Sequence, residues 1–320
     1  MSIDLKALQA GNPRALAKAI TLIESKKESD QAEAQQLLND ILKKNNKSLR
    51  IGISGIPGVG KSTFIESFGL NLIDAGQKVA VLAVDPSSPL SGGSIMGDKT
   101  RMDQLAANQN AYIRPSPTTG HLGGVAAKTR ECMLLCEAAG FDIILVETVG
   151  VGQSEYDVAS MVDFFLVLMV PTAGDELQGI KKGILELADA LVVNKADGEL
   201  LKFANSAKQN YENALSLVSH PSFWSPQVKT CSALENTGLD EVWKMIKTYQ
   251  DEAIENNYFT EKRSSQNLAW MKKIIQSLMD QKLQNNPKVS KLLVKLEKEV
   301  QEGMATPLLA AEKIIKELFK

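Results

Sequence analysis

The stretch GISGIPGVGKST, from Gly52 to Thr63, constrains this 320-residue chain more than any other. Gly55 is followed by four residues and then by Gly60-Lys61-Ser62, and the whole lies between a strand-like run, LRIGISG, and a helical stretch from Lys61 to Ala75. Glycines at this spacing let backbone N–H groups close around phosphate oxygens, while the helix behind adds the positive end of its dipole. Lys61 is then expected to reach the terminal phosphates and Ser62 to ligate magnesium. Ile56, Pro57, Gly58, Val59 and Thr63 complete the predicted phosphate loop. A glycine turn that binds nothing is the bland rival, and the strand-loop-helix context speaks against it.

Such a loop needs a parallel sheet around it, and the middle of the chain supplies one. The runs KVAVLAVD, AYIRP, FDIILVET, DFFLVLMV, DALVVNK and QVKTCSA are strand-length and alternate with helical stretches such as Leu122 to Ala139. Strands covered on both faces read as near-continuous apolar runs. The expected fold class is α/β: a P-loop NTPase with a mainly parallel sheet between helices, plus N-terminal and C-terminal helical extensions. Residues up to about Lys44 read as two amphipathic helices, with KKNNKS as a polar break. From about Tyr249 the strands stop and helical periodicity takes over. Thr306 is the expected N-cap of the last helix, with Pro307 at its first position. The predicted boundaries are 1–47 for the N-terminal extension, 48–250 for the nucleotide domain and 251–320 for a C-terminal helical arm. That arm needs an apolar surface to pack on, and a second copy of the chain is one candidate.

Composition removes several function classes. With 44% apolar and 23% charged residues the chain can bury a full core. A formal net charge of −2 gives no broad basic surface, so nucleic acid is not the expected partner. Its three cysteines, Cys132, Cys136 and Cys231, form no CxxC pair and no disulfide framework, which fits a reducing compartment. No run of about 18 apolar residues suggests a membrane span, and the first residues lack the pattern of a secretory signal or transit peptide. A cytoplasmic setting is expected.

The acids at strand ends carry the next step. Asp85 closes VLAVD, and Glu147 closes FDIILVE ahead of Thr148, Gly150 and Gly152. Both would lie at the carboxyl edge of the sheet, where ligands of open α/β sheets bind and where oxygen ligands suit magnesium. For either acid alone, a plain strand-end cap is the rival reading. LVVNKADG then separates the nucleotides. Asp197 of Asn-Lys-x-Asp can accept from the N1–H and the exocyclic amine of guanine, a pair that adenine does not offer. Asn194 and Lys195 are expected to brace the pocket and cover the base. Ser232-Ala233-Leu234 supplies a partner loop whose backbone N–H meets the guanine carbonyl. The phosphate loop, Asn-Lys-x-Asp and Ser-Ala, in that order, predict GTP and GDP as ligands.

With these motifs in place, the chain resembles the MeaB/ArgK group of P-loop GTPases, chaperones of adenosylcobalamin-dependent acyl-CoA mutases. The likeness is carried by GIPGVGKST, VLAVDPSSPLSGGSIMGDKTRM, RPSPTTGHLGGV, VETVGVGQSE, MVPTAGDELQGIKKGILELAD, VNKADG and the C-terminal LAWM, LEKEVQEG and TPLLAAEKII. It implies that Asp85, Asp98 and Glu147 surround the magnesium with Ser62, and that Lys61 and these three acids form the catalytic set. SSPLSGGSIMGDKTRM would be a first switch and VETVGVGQSE a second. PTAGDELQGIKKG would be a third, with Asp175, Glu176, Gln178, Lys181 and Lys182 meeting the mutase. Adenosylcobalamin would be met only through that partner, methylmalonyl-CoA mutase being the leading client. The resemblance further implies a homodimer through the C-terminal helices.

Physical chemistry alone supports the third switch less firmly. Gly174, Gly179 and Gly183 allow backbone change and the charges can re-pair, but a solvated loop opening a helix, with Asp175 and Glu176 at its N-terminus, reads as well. Val151 follows Gly150 where small signalling GTPases carry a water-orienting glutamine, and Gln153 comes later. Slow turnover alone, accelerated by a partner, is therefore expected, with Arg101 or Lys99 as candidate charge stabilisers. His121, in SPTTGHLGGV, departs from the small residue expected there and is assigned no role. Cys132 and Cys136 share a helix face, but their apolar neighbours favour buried packing over a soft-metal site. Trp243, Trp270 and Met271 read as packing residues. Two other functions compete with the chaperone: a nucleotide-dependent kinase or transport-linked ATPase, which Asp197 opposes, and a GTP-dependent scaffold without productive hydrolysis.

Overall fold

The computed structural model describes residues 3–25, 27–42, 48–84, 102–114, 122–148, 154–171, 182–217 and 223–319. Seven strands form one sheet in the order β3-β2-β4-β1-β5-β6-β7. They are β1 (Leu49–Gly55), β2 (Val79–Val84), β3 (Ala111–Arg114), β4 (Ile143–Thr148), β5 (Phe164–Met169), β6 (Ala190–Val193) and β7 (Gln227–Thr230). All six strand pairings are parallel. Each of the seven apolar runs in the sequence became one of these strands.

Side-chain alternation explains the layering. Val79 and Val81 face one core while Ala80, Leu82 and Val84 face the other. In β5, Phe164, Leu166 and Leu168 likewise oppose Phe165, Val167 and Met169. One face carries α4 (Lys61–Asp74), α5 (Asp103–Ala107) and α10 (Leu239–Glu255). The other carries α6 (Leu122–Ala138), α7 (Ser154–Ala159), α8 (Lys182–Leu187) and α9 (Leu201–Leu215). Both faces of the central strands are thus dry, the state their continuous apolar runs predict.

The N-terminal region differs from expectation in number. Three helices form there rather than two: α1 (Leu5–Gln9), α2 (Pro13–Glu24) and α3 (Glu28–Leu42). The chain breaks at Gly11, whose φ is +77°. Asn12 then caps α2 by accepting from the N–H groups of Arg14 and Ala15, with Pro13 at the first helical position. These helices share a core with α6 through Leu16, Ile20, Ile23 and Leu38. Gln35 Nε2 also donates to Glu131 Oε1 at 3.0 Å.

The chain divides into two compact units, Met1–Thr260 and Glu261–Lys320. The second holds the remainder of α11 (Tyr258–Asn285), α12 (Pro287–Gln301) and α13 (Pro307–Leu318). Asn286 caps α12, and Thr306 caps α13 by accepting from the Leu309 N–H. Along α11, Leu268, Met271, Ile275 and Leu278 are exposed at a spacing that puts them in one stripe. No helix among the described residues is long and apolar enough to cross a membrane.

Strand order places the ligand edge. From β1 the chain moves outward to β2 and β3, returns to β4 beside β1, and then crosses to β5 on β1's other flank. The direction reverses around β1, so the crevice outside its carboxyl end is the position this topology offers to a ligand.

Candidate functional site

β1 ends at Gly55, and the loop from Ile56 to Gly60 leads straight into α4. A Cβ on Gly55 would lie 2.6 Å from the Leu168 carbonyl oxygen, so only glycine fits where β1 runs beside β5. Gly60 stands at the N-cap of α4 with φ of +92°, and no side chain caps the first turn. The N–H groups of that turn have no intrahelical acceptor by construction and present a donor array at the sheet edge.

Lys61 folds back over the loop. Its Nζ donates to the carbonyls of Gly55 at 2.8 Å and Ile56 at 3.3 Å. Burial pushes its pKa below the ordinary lysine value, while the carboxylates of Glu147 and Glu155 pull the other way. Glu147, 6% exposed, stands near the end of β4, paired in register with Ile53 on β1 and Ala83 on β2. Next to it, Thr148 Oγ1 donates to Ser54 Oγ at 3.0 Å, tying the ends of β4 and β1 together. Ser62 and Thr63 follow Lys61 in the first turn of α4, Ser62 half-buried and Thr63 exposed.

A second cluster meets the loop from the β6 and β7 side. Asn194, 2% exposed, donates from Nδ2 to the Val59 carbonyl at 2.9 Å and accepts at Oδ1 from the Ala233 N–H at 3.1 Å. Gly60 makes room for it: a Cβ there would lie 2.9 Å from Asn194 Nδ2. Lys195, at φ +61°, donates from Nζ to the Gly58 carbonyl at 2.7 Å. Asp197 accepts from the Ser232 hydroxyl, which in turn accepts from the Glu235 N–H at 3.1 Å. Ser67 of α4 donates to the Ala233 carbonyl at 2.7 Å. Leu234 projects from this loop, 81% exposed. One buried asparagine thereby joins the glycine-rich loop to Ala233, while Lys195 reaches the same loop through Gly58 and Asp197 is held by Ser232.

The chain matches the family described as "Methylmalonyl Co-A mutase-associated GTPase MeaB" over residues 16–288. The chain belongs to the MeaB family of GTPases. Members with curated names include "GTPase ArgK" of Escherichia coli K12, 49% identical over 271 residues that cover 84% of this chain and 82% of ArgK. "Methylmalonic aciduria type A homolog, mitochondrial" of Mus musculus is 44% identical over 320 residues, covering 97% of this chain and 77% of the mouse protein. Among solved structures, one titled as an LAO/AO transport system kinase superposes with a TM-score of 0.80 at 37% identity, covering 99% of this chain and 96% of that one. This MeaB-family GTPase shares the fold of that structure, and its family is one of GTPases.

Of the residues predicted for the site, the structure brings together Gly55 to Thr63, Asn194, Lys195, Asp197, Ser232 and Ala233, with Glu147 within electrostatic reach of Lys61. Asp85, Asp98, Asp175, Glu176, Gln178 and Lys181 lie outside the described residues, as do Lys99, Arg101, His121, Val151 and Gln153. Lys182 opens α8. Cys132 and Cys136 are free and buried in the core under α6. Among the described residues no group of three or more His, Cys, Asp or Glu side chains is placed to hold a metal; Asp85 and Asp98 lie outside those residues.

Sequence reasoning passed over Glu155. It sits in the first turn of α7, 5% exposed, and its charge acts on Lys61 beside that of Glu147. The only signal for it was its place at the end of VETVGVGQSE, seven residues after Thr148.

Proposed function

We propose that this GTPase is a GTP-hydrolysing chaperone that assists assembly, protection or reactivation of an adenosylcobalamin-dependent acyl-CoA mutase, with methylmalonyl-CoA mutase the leading client. The observation that carries this reading is the family match over residues 16–288, joined to the bracing of the Asn-Lys-x-Asp loop against the phosphate loop. Asp197 would accept from guanine, and Asn194, Lys195 and the Ala233 backbone would hold the pocket around it.

Magnesium would be held by Ser62, Asp85, Asp98 and Glu147. The hydroxyl of Ser62 in the first turn of α4 and the buried carboxylate of Glu147 are oxygen donors of the kind a hard cation takes, so the described part of this set fits. Bound there, magnesium neutralises charge on the phosphate oxygens. Lys61 leaves its carbonyl partners to meet the terminal phosphate, and the N–H groups of the α4 first turn bind the remaining oxygens. With Val151 following Gly150 where a water-orienting glutamine would stand, hydrolysis is slow until the partner completes the site. Asp175, Glu176, Gln178, Lys181 and Lys182 would make that contact. Adenosylcobalamin belongs to the partner, and the setting is cytosolic.

The C-terminal arm would pair two copies of the chain. Support comes from the exposed apolar stripe of α11, the kind of surface that marks an interaction site. Truncation before Ser264 should give a monomer by sedimentation, and a dimer of that length would refute the pairing.

The chaperone reading is tested by adding the protein to an inactivated mutase with GTP, GDP or a non-hydrolysable GTP analogue. Recovery that requires GTP supports it. Recovery with the analogue alone favours a scaffold whose hydrolysis is incidental.

A further inference from the structure

The six-residue helix α7 is squeezed between two glycines. On its inner side, a Cβ at Gly52 of β1 would lie 2.9 Å from Val158 Cγ1 and 2.8 Å from Phe165 Cδ2, so the absent side chain lets α7 press onto β1 just before the phosphate loop. On its outer side, a Cβ at Gly183 of α8 would lie 2.0 Å from the Tyr156 hydroxyl oxygen and 3.2 Å from Cζ. Gly183 is not among the glycines at positive φ. Backbone freedom is therefore not what glycine supplies there; it supplies space for the tip of the Tyr156 ring. Glycine is a poor residue for a helix, and Tyr156, 51% exposed, has no burial reason to be aromatic.

The two ends of this contact belong to different parts of the site. α7 begins six residues after β4 ends and carries Glu155, which is buried and acts electrostatically on Lys61. α8 begins with Lys182, the last of the residues assigned above to the partner.

We infer that Tyr156 is a positioning residue that fixes α8 to α7 through Gly183, so that a nucleotide-dependent displacement of α7 is passed to the helix behind the partner-facing loop. This rests on the proposed reading of that loop. The seat against Gly52 presses α7 onto the phosphate-loop strand, and the tip of Tyr156 fills the space a side chain at 183 would take, so the two helices move together. Packed contacts of this kind transmit discrete shifts because they repack rather than deform.

The test is amide hydrogen exchange on the full-length protein with GDP and with a non-hydrolysable GTP analogue, read at residues 182–187 and 143–159. In the wild type both segments should change between nucleotides. Gly183→Ala forces the Tyr156 ring aside, which a half-exposed side chain can do without unfolding. The change at 182–187 should vanish while that at 143–159 and the nucleotide affinity persist. Gly183→Ala combined with Tyr156→Phe removes the 2.0 Å clash and leaves the nearest ring carbon at 3.2 Å, which a half-exposed ring relieves by a shift of a few tenths of an ångström, and the change at 182–187 should return. Persistence of the response in Gly183→Ala, or its failure to return in the double variant, overturns the inference. Charge reversal at Lys181 and Lys182 separates the two claims: mutase stimulation untouched by it, with the exchange results as stated, would sink the partner-loop reading alone.

Discussion

Asn194 is fastened to Val59, its Nδ2 donating to the Val59 carbonyl at 2.9 Å, while its Oδ1 accepts from the Ala233 N–H. One buried side chain thus sets the distance between the glycine-rich loop ahead of α4 and the Ser232–Ala233 loop, the proposed phosphate and base loops. Asn194→Ala leaves a buried carbonyl and a buried N–H unsatisfied, at about 1–3 kcal/mol for each group. Urea unfolding should show a loss of at least about 2 kcal/mol, and fluorescent GDP should bind far more weakly. Unchanged GDP affinity would show that the two loops are positioned without it.

Asp197 presents acceptors, and its neighbour Ser232 donates to it. Asp197→Asn replaces one acceptor with a donor, mismatched to guanine and matched to xanthine, which carries a carbonyl where guanine carries its amine. Titration should show guanine nucleotides weakened by roughly a hundredfold or more, with xanthine nucleotides gaining. Retained GTP preference would remove Asp197 from base recognition.

Far from the nucleotide edge, Arg50 and Glu137 form a two-pronged pair, Nε to Oε1 and Nη2 to Oε2, both at 2.9 Å. The residues are 8% and 5% exposed. Glu137→Gln leaves the guanidinium without its counter-charge, and chemical denaturation should register a loss of about 3–5 kcal/mol with nucleotide affinity preserved. Replacing both by methionine should cost much less than the single change. A single change as mild as the double one would mean the pair is solvated in solution.

Burial pushes the Cys231 thiol up from 9.0 to about 12. The folded protein therefore keeps a proton that the unfolded chain releases. The stabilisation is fully present below pH about 9 and is lost as pH rises toward about 12. The urea midpoint of the wild type should fall more steeply between these limits than that of Cys231→Ser, whose hydroxyl does not titrate there. Parallel curves would show that Cys231 ionises as freely in the native state as in the unfolded one.

Seven strands and the phosphate loop were legible because each rests on local chemistry: a strand dry on both faces has to be apolar throughout, and a loop that wraps phosphate has to be rich in glycine. The break at Gly11 was written in the same code, since Asn12 and Pro13 are a helix start, yet the apolar periodicity on either side of it reads as continuous. Glu155 was not legible. An acid in the first turn of a helix is ordinarily solvated, and nothing in the neighbouring residues marks this one as buried with its charge acting on Lys61. The contact between Tyr156 and Gly183 was hidden for a like reason, because glycine ahead of an apolar helix suggests mobility rather than room for a neighbour's ring.

Steady-state phosphate release from GTP and from ATP, each with and without a purified adenosylcobalamin-dependent mutase from the same source, tests the central claim most directly. Slow GTP turnover that rises sharply with the mutase, with ATP inert, is the predicted result. GTP turnover indifferent to the mutase would contradict the chaperone assignment, and a preference for ATP would contradict the base recognition built on Asp197.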